Sequence, residues 1–141
     1  MSIDGLQDDD IRRILSETNR IAVVGASNKT DRASYYVPEF LAAHGYQIAA
    51  VNPGLAGQTL HGATVLASLA EVGALDMVNI FRASEQAGAV IDEAIRLGAK
   101  TVWLPLGVID EDAARRAREA GLVAVMDRCP KIEWRRLGLP A

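Results

Sequence analysis

The sequence predicts an α/β fold in which helices cover both faces of a five-stranded parallel sheet. Three observations predict it. Five short, mostly apolar segments, at residues 21–24, 47–51, 77–81, 101–104 and 122–126, have the length and character of buried strands. Segments with helical periodicity separate them, so successive strands run parallel. Gly45, Gly98 and Gly121 stand where helices must close in a left-handed residue.

The elements follow in order. Residues 8–18 read as a leading helix, acidic at its start, with Ile11, Ile14 and Leu15 on one face. Residues 21–24 are the first strand. A helix is expected over about 34–44, capped by Ser34, with Val37, Phe40 and Leu41 spaced i, i+3, i+4. Pro38 is placed in its first turn, where a missing amide proton matters little. Asn52-Pro53-Gly54 stops the second strand. Residues 55–62 read as a loop, and Ser68 to Glu71 as a short helix. Ser84 is expected to cap the next helix, whose buried face is Ala87, Val90, Ile91, Ala94 and Ile95. Asp110 caps another, in which Glu111 and Asp112 come early and Arg115, Arg116 and Arg118 late, as the helix dipole favours. Residues 130–137 form a terminal helix. Right-handed crossovers then select the order 3-2-1-4-5, half of a doubly wound fold. Its ligand crevice lies outside the strand carboxyl ends, between strands one and four.

Composition narrows the class. The 141 residues suit one domain, taken as 1–141, and 50% are hydrophobic with 23% charged. A net charge of -3 argues against nucleic-acid binding. One cysteine and two histidines without ligand spacing exclude a cysteine cluster and leave no metal site to propose. No apolar run approaches the roughly 20 residues of a membrane span. Met1-Ser2-Ile3-Asp4 lacks the features of a signal peptide, so a cytoplasmic protein is expected.

The chemistry concentrates at Ile21-Ala22-Val23-Val24-Gly25-Ala26-Ser27, a buried strand running into a turn before a helix. That architecture binds phosphates. The dinucleotide fingerprint G-x-G-x-x-G is reduced to Gly25, with Ala26 and Ser27 following. After the second strand, where NAD-binding folds place a ribose-binding acid, stand Asn52 and Pro53, and no acid occurs before Glu71. Lys29 and Arg32, among the hydroxyls of Ser27, Thr30 and Ser34, suit a ligand with several phosphates. They fit an ordinary solvated loop equally well.

Taken together, Val24-Gly25-Ala26-Ser27, Arg32-Ala33-Ser34, Gly45-Tyr46, Val51-Asn52-Pro53, Gly62, Phe81-Arg82, Val102-Trp103-Leu104, Gly107 and Met126-Asp127-Arg128-Cys129-Pro130 resemble the small CoA-binding domain family over about residues 8–137. That family is related to the nucleotide-binding domain of the succinyl-CoA synthetase α subunit. The resemblance implies a Rossmann-like fold that binds coenzyme A at the strand carboxyl ends. It implies that Gly25, Ala26 and Ser27 form the phosphate turn, that Arg32 contacts a phosphate, and that Asn52 and Pro53 line the nucleotide end. Lys29, Ser34, Phe81, Arg82 and Gly107 complete the expected ligand-binding set. The chain departs from the family at Pro105, where members often carry glutamine, which removes a backbone donor and a side-chain amide together.

No Ser-His-Asp set, G-x-S-x-G elbow or H-E-x-x-H is present. The expected function is therefore non-catalytic binding of coenzyme A or an acyl-CoA. An NAD(P)-binding redox sensor or small oxidoreductase is the alternative, in which Lys29 or Arg82 meets a 2′-phosphate. An interaction subunit with a vestigial pocket is a third. The expected partners are a small-molecule ligand and either a partner enzyme or further copies of the chain, with no nucleic acid or membrane. Among single residues, Cys129 beside Arg128 reads as a small, partly buried side chain before a reactive thiol. Asp127 and Arg128 read as a polar pair closing the sheet end, Trp103 as core and Trp134 as packing for the terminal helix. His44 suits a helix end, and His61 reads as a solvated loop residue.

Overall fold

Alternate residues along the strands feed two separate apolar layers, one on each face of the sheet. Ile21, Val23, Met77, Trp103 and Val125 belong to one layer. Ala22, Val24, Val78, Ile80, Val102 and Ala124 belong to the other. The computed structural model describes residues 3–139, so Met1 and Ser2, which entered the signal-peptide expectation, lie outside the described residues. The strands are β1 (Arg20–Val24), β2 (Gln47–Val51), β3 (Thr59–Leu60), β4 (Ala63–Thr64), β5 (Met77–Ile80), β6 (Thr101–Trp103) and β7 (Val123–Val125). The helices are α1 (Asp8–Glu17), α2 (Ala33–Ala43), α3 (Ser84–Arg96), α4 (Glu111–Glu119) and α5 (Pro130–Arg136). Helices α1, α2 and α5 cover the first layer, and α3 and α4 the second.

The main sheet is parallel in the order β2-β1-β5-β6-β7. A parallel bridge between Val51 and Leu66 adds a remnant strand beyond β2. Counted as the third strand, this bridge completes the expected 3-2-1-4-5 order, with β7 added at the edge. The segment at 77–81, expected third, therefore takes fourth place beside β1. The physical reason is the β2–β5 connection, which holds 3-10 turns and a hairpin instead of a helix, and brings Leu66 to the edge of β2.

Three local expectations need correction. Helix α2 begins at Ala33 with Arg32 as its N-cap, so Ser34 lies inside the first turn and Pro38 in the helix interior. Proline there leaves the Ser34 carbonyl without its intrahelical donor. That carbonyl instead accepts from the Ser27 amide at 3.2 Å. Ser84 is the first residue of α3, with Ala83 as the N-cap. Its hydroxyl accepts from the Ile109 amide at 3.0 Å and ties the loop after β6 to α3. The expected 55–62 loop contains the start of a hairpin, β3–β4, turned by left-handed His61 and Gly62.

Opposite the strand carboxyl ends, Asp76 joins two elements. Its carboxylate accepts from the Asn19 and Arg20 amides at 2.9 and 3.0 Å. The Arg20 and Asn19 amides, with help from Lys100, hold its pKa below the ordinary carboxylate value. A depressed folded-state pKa contributes stability above about pH 4 that is lost as pH falls through the folded value. Asp76→Ala is therefore expected to lower stability at pH 7 and to flatten the acid limb below about pH 4 in urea titrations. An unchanged acid limb would count against this role.

At the other end, Arg128 donates to both carboxylate oxygens of Asp4 at 2.8 and 3.1 Å, to the Leu6 carbonyl at 3.0 Å and to Glu133 at 2.8 Å. It joins the N-terminal segment to α5. Its carbonyl accepts from the buried Trp103 indole at 2.7 Å. Trp103 is core as expected, whereas Arg128 pairs with Asp4 and Glu133 and not with Asp127, whose carboxylate accepts from the Gly107 amide.

Candidate functional site

The strand-to-turn geometry is set by Gly25. It has a left-handed φ of +87°, and an added Cβ would lie 2.2 Å from the Phe81 carbonyl oxygen and 2.9 Å from Arg82 Nη1. Glycine permits both the torsion and the close approach. The Arg82 guanidinium thereby lies against the turn at the carboxyl ends of β1 and β5, where the sheet reverses its winding.

The turn is braced from within. Asn52 donates through Nδ2 to the Ala26 carbonyl at 2.8 Å and accepts through Oδ1 from the Gly54 amide at 2.9 Å. Ala26 is fully buried. The Ser27 amide is engaged by Ser34, and the Ser27 hydroxyl accepts from the Lys29 amide at 3.0 Å. In the first turn of α2, the amides of Ala33 and Ser34 have no intrahelical acceptor. Helix geometry therefore offers donors for an anion at Ala33 and Ser34, while the Ser27 amide is spent within the loop.

Arg82 separates two cavities. The larger, about 530 Å³, is bounded by the start of α2 (Arg32, Ser34, Val37), by Phe81, by the loop after β6 (Pro105, Leu106, Val108) and by α5 (Lys131, Ile132, Arg135). The smaller, about 220 Å³, lies beyond β1 and β2, lined by Val51, Pro53 and Leu69. Gly107 holds the wall of the larger cavity in place. Its left-handed conformation (φ +79°) turns the loop, and its amide donates to Asp127 at 2.7 Å. Cys129 is half-buried on the same cavity and precedes α5.

Charge is distributed unevenly among the fifteen lysines and arginines. Arg12, Arg13, Arg96, Lys100, Arg115, Arg116, Arg128 and Arg136 form salt bridges with carboxylates. Among the described residues Arg20, Lys29, Arg32, Arg82, Arg118, Lys131 and Arg135 form none, and four of these seven, Arg32, Arg82, Lys131 and Arg135, line the larger cavity. Lys131 lies over the Tyr36 ring at 5.1 Å and Arg135 over the Phe40 ring at 5.0 Å. These cations give the carboxyl ends of the sheet a local positive field that the net charge of the chain conceals.

The structure thus gathers Gly25, Arg32, Ser34, Pro53, Phe81 and Arg82 around the two cavities. Ala26 and Asn52 support the turn from behind. Lys29 is exposed on the connecting loop, outside both cavity walls. His61 is not solvated as expected. It packs against Tyr35 at 5.1 Å, with Nε2 buried and unpartnered among the described residues. Burial pushes its pKa below the ordinary value, with Glu39 acting in the opposite direction. Sequence reasoning missed the walls supplied by Tyr36, Leu106, Lys131, Ile132 and Arg135. The available signal was Cys129-Pro130, a helix start placed directly after a strand that ends in the crevice.

A family model described as "CoA binding domain" matches residues 19–135. The uncharacterized protein YneT of Bacillus subtilis (strain 168) is 37% identical over 124 residues, covering 87% of this chain and 90% of the relative. A hypothetical protein from Pyrococcus horikoshii OT3 has a similar solved structure. Its TM-score is 0.91 and its identity 36%, covering 97% of this chain and 96% of that one. The cell-free ID.343 structure from Thermus thermophilus has a TM-score of 0.89 and 32% identity, covering 94% and 99%.

Proposed function

The chain belongs to the CoA-binding domain family, and on that premise we propose that it binds coenzyme A, free or acylated, without transforming it. The observation that carries the proposal is the group of four cations without ion pairs, Arg32, Arg82, Lys131 and Arg135, around the larger cavity, which shares Arg82 with the smaller one. In this reading the adenosine occupies the smaller cavity beside Val51 and Pro53. The diphosphate meets Arg82 and the Ala33 and Ser34 amides, where charge-assisted hydrogen bonds are strongest. The pantetheine arm enters the larger cavity.

Asn52 favours coenzyme A over a nicotinamide dinucleotide: it stands where a ribose-binding carboxylate is needed, and its amide is committed to Ala26 and Gly54. The larger cavity is lined by arginine, lysine, tyrosine and cysteine among the titratable types and by no carboxylate or histidine. Among the described residues no helix is long and apolar enough to cross a membrane. A cytoplasmic location and a partner enzyme that receives the loaded form belong to the proposal.

Isothermal titration with coenzyme A, NAD and NADP tests it. Micromolar or tighter binding of coenzyme A, with weaker binding of both nicotinamide cofactors, is expected. Preference for NADP would favour the redox-sensor reading, and no binding at all would favour a vestigial pocket. Arg82→Ala is expected to weaken coenzyme A binding about 10- to 100-fold, the range of a lost charge-assisted hydrogen bond. Wild-type affinity in that variant would remove Arg82 from the site.

A further inference from the structure

We infer that the preferred ligand is a coenzyme A thioester carrying a saturated acyl chain, and that the acyl chain lies in the larger cavity against Val37, Pro105, Leu106 and Ile132. The inference rests on the coenzyme A reading and names the ligand class within it.

The chemistry of the wall supports this. A pantetheine arm carries two amides and needs hydrogen-bond partners along its length. Apart from Tyr36, Lys131 and Arg135, the wall away from Arg82 offers few. Pro105 and Pro130 have no amide proton, and Val37, Leu106 and Ile132 are hydrocarbon.

Exposure points the same way. Leu106 is 58% exposed, Ile132 53% and Tyr36 39%, and all three line the same cavity. Large apolar side chains gathered at one opening mark a binding surface, whereas scattered ones do not. The cavity combines four cations, Arg32, Arg82, Lys131 and Arg135, with an apolar patch of Val37, Pro105, Leu106 and Ile132, which suits a ligand carrying both phosphates and a hydrocarbon chain. Its volume of about 530 Å³ lies within the range of pockets that enclose a sizeable ligand. In the coenzyme A reading the adenosine does not compete for this space, because the two cavities share only Arg82.

Titration of the full chain with coenzyme A, butyryl-CoA and octanoyl-CoA tests the inference. Octanoyl-CoA is expected to bind about tenfold or more tightly than coenzyme A, with butyryl-CoA between them, because each buried methylene adds to affinity. Ile132→Asp and Pro105→Gln are each expected to cut the ratio of octanoyl-CoA to coenzyme A affinity to less than about threefold. Both positions lie outside the fully buried core, so these variants should fold. Equal affinity for coenzyme A and octanoyl-CoA would overturn the inference and leave the coenzyme A reading standing. Failure of every ligand to bind would instead overturn that reading. Sedimentation as a dimer that Ile132→Asp dissociates and octanoyl-CoA does not would assign the apolar face to a second copy of the chain and also overturn the inference.

Discussion

Gly25→Ala is expected to destabilise the fold by about 3 kcal/mol and to lower Tm by roughly 10 °C. Two effects add at this position. A φ of +87° lies in the left-handed region, which costs a non-glycine residue about 1 kcal/mol or more. The new Cβ would also sit 2.2 Å from the Phe81 carbonyl oxygen, a distance no packed methyl tolerates. Neither side of this contact retreats easily. The Gly25 amide donates to the Val51 carbonyl at 2.9 Å, and the Phe81 amide donates to the Val24 carbonyl at 2.8 Å. Relief must therefore come from parting β1 and β5 at their carboxyl ends, which also displaces Arg82. Coenzyme A affinity is expected to fall together with stability. Gly45→Ala is the control. Its φ is +97°, but nothing lies within 4 Å of the added Cβ, so it should show the torsional part alone, about 1 kcal/mol. Urea titrations of the two variants measure the difference. Equal losses would show that the Phe81 contact relaxes freely.

Arg128→Leu is expected to cost about 3 kcal/mol or more, measured in the same way. The guanidinium bridges carboxylates whose side chains are 0% and 9% exposed, at Asp4 and Glu133. Leucine fills much of the space but removes the guanidinium that bridges the two carboxylates and the Leu6 carbonyl. Glu133 keeps Arg136 at 2.7 Å, so the loss falls mainly on Asp4 and on the attachment of the N-terminal segment. Arg128→Lys should recover only part of the stability, because an ammonium cannot span Asp4, Glu133 and the Leu6 carbonyl with one rigid fork. Because α5 forms one wall of the larger cavity, ligand binding should weaken in Arg128→Leu through the displacement of α5. A variant as stable as the parent would show that α5 docks without this cluster.

Much of the fold was legible because its signals are local. Ile11, Ile14 and Leu15 share a helix face by spacing alone, and all three are buried in α1. Asp110 caps α4 by accepting from the Ala113 amide at 3.0 Å, as its place before an acidic first turn implied. The α2 boundary was misjudged because Ser34 resembles a cap, while Pro38 resembles a first-turn residue only if the helix starts later than it does. Hairpin β3–β4 was missed because its strands are two residues each, too short for any periodicity to register. His61 looked solvated because nothing in the sequence placed Tyr35 beside it.

The candidate site divides in the same way. The parallel α/β architecture, the turn at Gly25 and the missing acid at Asn52 are legible in the residue order, because each depends on residues within a few positions of one another. Packing alone settles that the Ser27 amide is spent on the Ser34 carbonyl, that Arg82 lines both cavities and that α5 returns across α2 to complete an apolar wall. The difference is one of range. Periodicity, caps and turn residues act through neighbouring backbone groups, whereas a cavity is the space left when elements distant in sequence pack. That space is set by the Arg128 cluster and by the two apolar layers, which local patterns do not encode.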